Sequence, residues 1–219
     1  MYMDTTTIIM GTKRMADLKY RRDPIDIQER SFEMIRDETD LSRFPGTLEP
    51  AVVRMIHACG DTAIAPDIAF SDDAGTAGVE ALRACAPIFA DSRMVAQGVS
   101  KALLPMTNAI FCTLSQAKAI NTTRSAAAVN LWRKNLHGGV VAIGNAPTAL
   151  YRLLEIIAEG PERPALIIGV PVGFVGAAES KEALIAHADG IPYITLRGRR
   201  GGSAIAAACV NALARIASK

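Results

Sequence analysis

The chain has 219 residues, half of them hydrophobic, with 21% charged residues and a formal charge of +2. Such a composition supports a substantial core and excludes a disordered chain, and the small charge, with no basic run interleaved with aromatics, argues against nucleic acid as a partner. The longest apolar run, Ala165 to Ala178, is broken by glycine and proline and is too short for a bilayer span, so no membrane association is expected.

The N-terminus has no secretory apolar segment with a cleavage site, and no linker divides the chain. A single cytoplasmic domain over residues 1–219 is expected, with residues 1–22 as an N-terminal arm. Asp23-Pro24 is an N-cap followed by proline at the first helical position. The helix after it carries Ile27, Met34 and Ile35 on one stripe. Ser31 sits four residues from both isoleucines, so a hydroxyl lies within the apolar face. Spacing alone favours a serine bonding back to a helix carbonyl. Thr47 or Glu49 opens a second helix through Pro50, with Val52, Val53, Ile56 and Cys59 inward and Gly60 as its stop. Arg54, His57 and Asp61 fall near one edge of that helix or its exit.

Thr62 to Ser71 reads as an edge strand because it contains proline. Asp72-Asp73 caps a helix from about Gly75 to Ala90. Arg93–Gln97, Ala109–Thr113, Val140–Ile143, Ala165–Val170 and Tyr193–Arg197 read as five strands, each followed by a turn and a helical segment. Thr122 or Thr123 opens a helix through Leu136, and the last helix spans Ser203 to Ile216. This alternation predicts a three-layer α/β/α fold around a mainly parallel five-stranded sheet, with additional N-terminal helices. Loops at the carboxyl ends of such strands are where open α/β sheets hold ligands.

The motifs exclude several occupants. No GxGxxG follows a strand and no GxxxxGK[ST] occurs; Gly169-Val-Pro-Val-Gly173-Phe-Val-Gly176 has the wrong spacing and contains proline. There is no GxSxG elbow. The four cysteines (Cys59, Cys85, Cys112 and Cys209) show no CxxC spacing, and no histidine or carboxylate pair stands at ligand spacing, so no metal site and no disulfide framework is expected. His137 and His187, near helix ends, read as structural or surface residues. The loop Arg197-Gly-Arg199-Arg200-Gly-Gly-Ser203 remains, and it suits carboxylates or phosphate. His57 remains as well; it lies between a cation and a carboxylate and can both give and take a proton.

Four segments together resemble the precorrin-8X methylmutase family of cobalamin biosynthesis. They are Arg54-Met-Ile-His57-Ala-Cys59-Gly60, Ala142-Ile-Gly144-Asn145-Ala-Pro147-Thr148-Ala-Leu150, Gly169 through Lys181, and Arg197 through Ser203. The resemblance spans roughly residues 20 to 217. It implies an isomerase that moves a methyl group from C11 to C12 of precorrin-8X or cobalt-precorrin-8, giving hydrogenobyrinic or cobyrinic acid. It further implies no cofactor and a homodimer with sites near the subunit interface. By the same resemblance His57 is the proton donor and acceptor, and Ser31 and Arg54 touch substrate. Lys101, Arg124, Arg197, Arg199 and Arg200 are candidate partners for the corrinoid carboxylates, and Ser100 and Asn145 join them as substrate-binding candidates. A corrinoid carrier without catalysis, and an α/β enzyme acting on a phosphate ligand, are the alternatives.

Overall fold

A computed structural model of the protein describes residues 19–219; most of the expected N-terminal arm lies outside the described residues. Two helices come first, α1 (Pro24–Glu38) and α2 (Glu49–Cys59). Asp23 caps α1 by accepting from the amides of Ile25 and Asp26, as Asp-Pro predicts. Gly60 ends α2 in the left-handed conformation (φ 65°), where a side chain would be strained. Cys59, expected inward, is exposed. Of the α1 stripe, Ile35 is buried while Ile27 and Met34 remain exposed.

The other elements are β1 (Ile68–Phe70), α3 (Ala74–Arg83), β2 (Ile88–Ala90), α4 (Arg93–Gly98), β3 (Ile110–Phe111), α5 (Arg124–Asn130), β4 (Val140–Ile143), α6 (Pro147–Glu159), β5 (Leu166–Gly169), α7 (Ala177–His187), β6 (Tyr193–Leu196) and α8 (Ser203–Ala217). They form one six-stranded sheet in the order β1-β6-β5-β4-β2-β3, parallel except for the antiparallel edge β1. The expected edge strand is therefore present, but shortened to three residues behind a 3-10 turn that contains Pro66.

Three of the expected elements differ in the structure. The helix from Gly75 stops at Arg83 rather than continuing to Ala90. Pro87 disfavours a helical Ala86, Cys85 takes a positive φ of 60°, and the buried Asn108 amide donates to the carbonyls of Leu82 and Ala86. That break frees Ile88–Ala90 to become β2. Residues 93–97, expected as a strand, are instead α4, because Ser92 caps it by accepting from the Val95 amide at 3.2 Å. The expected helix from Thr123 to Leu136 also shortens to α5 plus a 3-10 turn.

Alternation along the strands divides the core between the two faces of the sheet. Val140, Ala142, Leu166 and Ile168 join the side chains of α2, α3 and α8, while Val141, Ile143 and Ile167 join those of α6 and α7. Since β2 neighbours both β3 and β4, the winding reverses between β2 and β4, and the crevice above that point is where ligands of doubly wound sheets enter. No helix among the described residues is long and apolar enough to cross a membrane.

Candidate active site

The centre of the site is built where α1 packs on α2. The Ser31 hydroxyl lies 2.8 Å from Nδ1 of His57, so its partner is an imidazole and not a carbonyl of its own helix. Phe32 meets the imidazole edge-on, with ring centroids 5.3 Å apart. The Arg54 guanidinium lies over the Phe32 ring, 5.0 Å from its centroid. A hydroxyl suits its place here: it accepts from Nδ1–H of the charged imidazole and equally of the neutral ring that keeps its hydrogen on Nδ1. A proton can therefore come and go at Nε2 while Nδ1 stays satisfied.

Arg54 is half-buried, and none of the ion pairs among the described residues includes it. Burial, and then the positive charge of Arg215, push its pKa below the ordinary value. A desolvated guanidinium beside another cation is a place where an incoming carboxylate is favoured.

Asp61, which the sequence puts near His57, goes elsewhere. It accepts from the Ala63 amide and pairs with Arg200 at 2.8 Å. Arg200 also pairs with Asp67 at 2.6 Å and donates to the Ala63 carbonyl, and these carboxylates hold its pKa above the ordinary value. In this structure Arg200 is thus a brace between the exit of α2 and the loop after β6, rather than a free anion binder. Arg197 is similarly engaged by Glu182 at 2.6 Å. Arg199, in contrast, is exposed, lies 5.3 Å from the centroid of Phe174, and joins none of the ion pairs among the described residues. The ring under it belongs to an outward-facing apolar loop in which Phe174 is 82% and Val175 89% exposed.

The remaining candidates are dispersed. Asn145 is exposed on the loop after β4. Arg124 opens α5 beside it, since the α5 cap Thr123 is 2.7 Å from Thr148 on α6. Ser100 receives its amide partner from Asn211 on α8, and Lys101 lines a separate cavity of about 460 Å³ with Leu104 and Met106. No hydrogen bond joins either residue to the Ser31–His57 pair. His187 lines a cavity of about 610 Å³ between α6 and α7 that contains none of the candidates.

Asp91, which sequence reasoning passed over, explains the missing phosphate site. This buried carboxylate accepts from the amides of Gly144, Asn145 and Ala146 at 3.0, 2.9 and 2.8 Å. Burial raises its pKa while the three amides pull it back down. The start of α6, at the winding reversal, is where a phosphate would be cradled, and a protein carboxylate already fills it. Its signal was Asp91-Ser92 directly after an apolar run, which the overextended helix concealed. No group of three His, Cys, Asp or Glu side chains among the described residues could hold a metal ion.

Comparison with known proteins agrees on one family. The family profile "Precorrin-8X methylmutase" matches residues 26–216. A precorrin-8X methylmutase of Pseudomonas aeruginosa is 53% identical over 203 residues, covering 90% of this chain and 98% of that protein. One from Sinorhizobium sp is 51% identical over 92% of this chain and 99% of its own length. A cobalt-precorrin-8 methylmutase of Priestia megaterium is 39% identical over 89% and 88%. The crystal structure of precorrin-8x methyl mutase from Thermus thermophilus superposes with a TM-score of 0.81 at 38% identity, covering 89% of this chain and 96% of that one.

Proposed function

The chain belongs to the precorrin-8X methylmutase family, isomerases of cobalamin biosynthesis, and on that premise we propose that it shifts a methyl group from C11 to C12 of the corrinoid ring with His57 as proton donor and acceptor. The observation that carries the reading is the Ser31–His57 contact at 2.8 Å beside the guanidinium of Arg54, which joins none of the ion pairs among the described residues. A methyl migration within one molecule calls for no nucleophile and no redox partner. It calls for the reactive tautomer of the ring, held in one shape.

In this mechanism Nε2 of His57 delivers a proton to the macrocycle, leaving the migration terminus electron-poor. The methyl group moves with its bonding pair from C11 to C12, and the same nitrogen takes a proton back. Ser31 keeps the imidazole oriented by accepting from Nδ1–H in both states. General acid–base catalysis of this kind contributes on the order of 10²–10⁴ in rate, with restraint of the bound ring supplying more. Arg54 receives a peripheral carboxylate, and Arg199, Arg124 and Asn145 are positioned along the strand ends for others. The exposed faces of Phe174 and Val175 give the flat ring an apolar surface.

Two finer points follow. The relatives named for precorrin-8X share 51–53% identity, against 39% for the cobalt-precorrin-8 relative from Priestia megaterium, which favours precorrin-8X as substrate. Ile25, Ile27 and Met34 are exposed on the helix that carries Ser31, which favours a homodimer that covers α1 near the site. The test is incubation of purified protein with precorrin-8X and with its cobalt form, following the absorption spectrum for conversion.

A further inference from the structure

Lys181 lies in the first half of α7 and is fully buried, an unusual place for an ammonium group. Its Nζ donates to the Pro171 carbonyl at 3.0 Å and to the Arg200 carbonyl at 2.7 Å. These two carbonyls belong to different loops, one after β5 and one after β6. The loops also meet through their backbones: Gly202 donates to the Val170 carbonyl at 2.9 Å and Gly173 to the Arg199 carbonyl at 3.2 Å. At Gly201 a Cβ would stand 2.3 Å from the Val170 oxygen and 2.6 Å from that of Pro171, so the contact admits no side chain. Phe174 and Arg199, on either side of this seam, are the apolar and cationic groups assigned above to the ring and its carboxylates. Arg200 at the same seam reaches Asp61, four residues after His57.

We propose that Lys181 is a positioning residue for the corrinoid, its ammonium clamping the loop after β5 to the loop after β6 so that Phe174 and Arg199 present one surface and the brace to the His57 helix stays taut. This rests on the functional reading above. A buried apolar side chain would fill the same space more cheaply, so the charge itself needs a reason. Charge-assisted bonds to two carbonyls are roughly twice as strong as those of a neutral amine.

The clamp carries a pH signature. Burial, only partly offset by Glu182, lowers the Lys181 pKa from 10.5 to about 8. Glu182 is itself paired with Arg197 of the loop after β6, and the Arg200 side chain is turned away to Asp61 and Asp67. The loop from Pro171 to Gly176 carries no ionisable side chain. On α6, burial and then the charge of Glu179 on α7 raise the Tyr151 pKa, so its phenol is a neutral group where Lys181 titrates, near pH 8. With the folded pKa below the unfolded one, the folded chain loses its proton first. Global stability therefore rises between about pH 8 and 10.5 as the cost of burying the charge disappears. Over the same range the clamp weakens and corrinoid affinity falls. A purely structural lysine would not drive these two quantities in opposite directions.

The experiment measures isomerisation of precorrin-8X, product affinity and unfolding free energy from pH 6.5 to pH 10 in wild type, Lys181→Met and Lys181→Arg. Wild type is expected to lose affinity, and kcat/KM mainly through KM, with a midpoint near pH 8, while its stability rises relative to Lys181→Met. Lys181→Met is expected to show KM raised about tenfold at pH 7 and no alkaline limb. Lys181→Arg, charged throughout, is expected to hold its pH 7 affinity into the alkaline range. An unchanged alkaline limb in Lys181→Met, or wild-type affinity flat across pH 8, overturns the proposal. Should neither variant fold, the wild-type affinity profile decides alone. Wild type that binds product yet isomerises nothing at any pH defeats the functional reading and leaves the clamp to be judged by affinity.

Discussion

Ser31 on α1 and His57 on α2, 26 residues apart in the chain, meet at 2.8 Å between a hydroxyl and Nδ1. The contact joins two helices and leaves the other ring nitrogen for chemistry. His57→Ala is expected to lower kcat by about 10²–10⁴ while product still binds. Ser31→Ala removes only the orienting bond, and a kcat lower by about tenfold is expected, consistent with one hydrogen bond of roughly 1 kcal/mol. Steady-state kinetics on the two variants separates the roles; equal losses in both would show that Ser31 does more than orient.

The arginines of the loop after β6 divide by what they touch. Arg199 joins no ion pair among the described residues, so Arg199→Gln is expected to weaken product binding by roughly tenfold with little change in kcat. Arg200 is occupied by Asp61 and Asp67, so Arg200→Gln is expected to act on kcat, by loosening the exit of the His57 helix. Because these pairs are nearly half exposed, the stability lost is expected to stay within about 1 kcal/mol and to shrink at high salt. Binding and unfolding measured side by side distinguish the two residues, and identical profiles would refute the division.

Asp91 tests the architecture at the winding reversal. Asp91→Ala leaves three amides at the start of α6 without their acceptor, one of them buried. A loss of about 2–4 kcal/mol in denaturant unfolding is expected, since each stranded donor costs on the order of 1 kcal/mol or more. A loss below about 0.5 kcal/mol would mean that the amides find other partners readily, and that the cradle was never committed to the carboxylate.

Gly201→Ala should be the most damaging small substitution in the glycine loops. The added carbon would stand inside contact distance of two carbonyl oxygens, and neither belongs to a flexible side chain. Loss of more than about 2 kcal/mol of stability, or failure to accumulate as folded protein, is expected. Gly198→Ala, with nothing within 4 Å of the added carbon, serves as its control and pays only for its positive φ.

Much of this fold could be read directly. Asp23-Pro24, Gly60 and the apolar runs of β4, β5 and β6 each combine a local cap or breaker with an unambiguous period, and each stands where the residues indicate. The region from Ala84 to Gly98 was misread because its helix stop depends on Asn108, which binds the terminal carbonyls from outside the segment. The site divides in the same way. His57 and Arg54 were visible as residue types on one helix edge, whereas the Ser31 contact needs the packing angle of α1 on α2. Lys181 left a faint trace as a cation on the stripe of Ala177 and Leu184, and only the fold shows the two carbonyls it serves.

The central claim is that this chain isomerises precorrin-8X through His57. The most direct measurement is single-turnover absorption spectroscopy of purified wild type and His57→Ala with precorrin-8X at matched, saturating protein. Conversion to the product spectrum by wild type, with a bound but unconverted substrate spectrum in His57→Ala, is the predicted result. Conversion by His57→Ala at the wild-type rate would contradict the account.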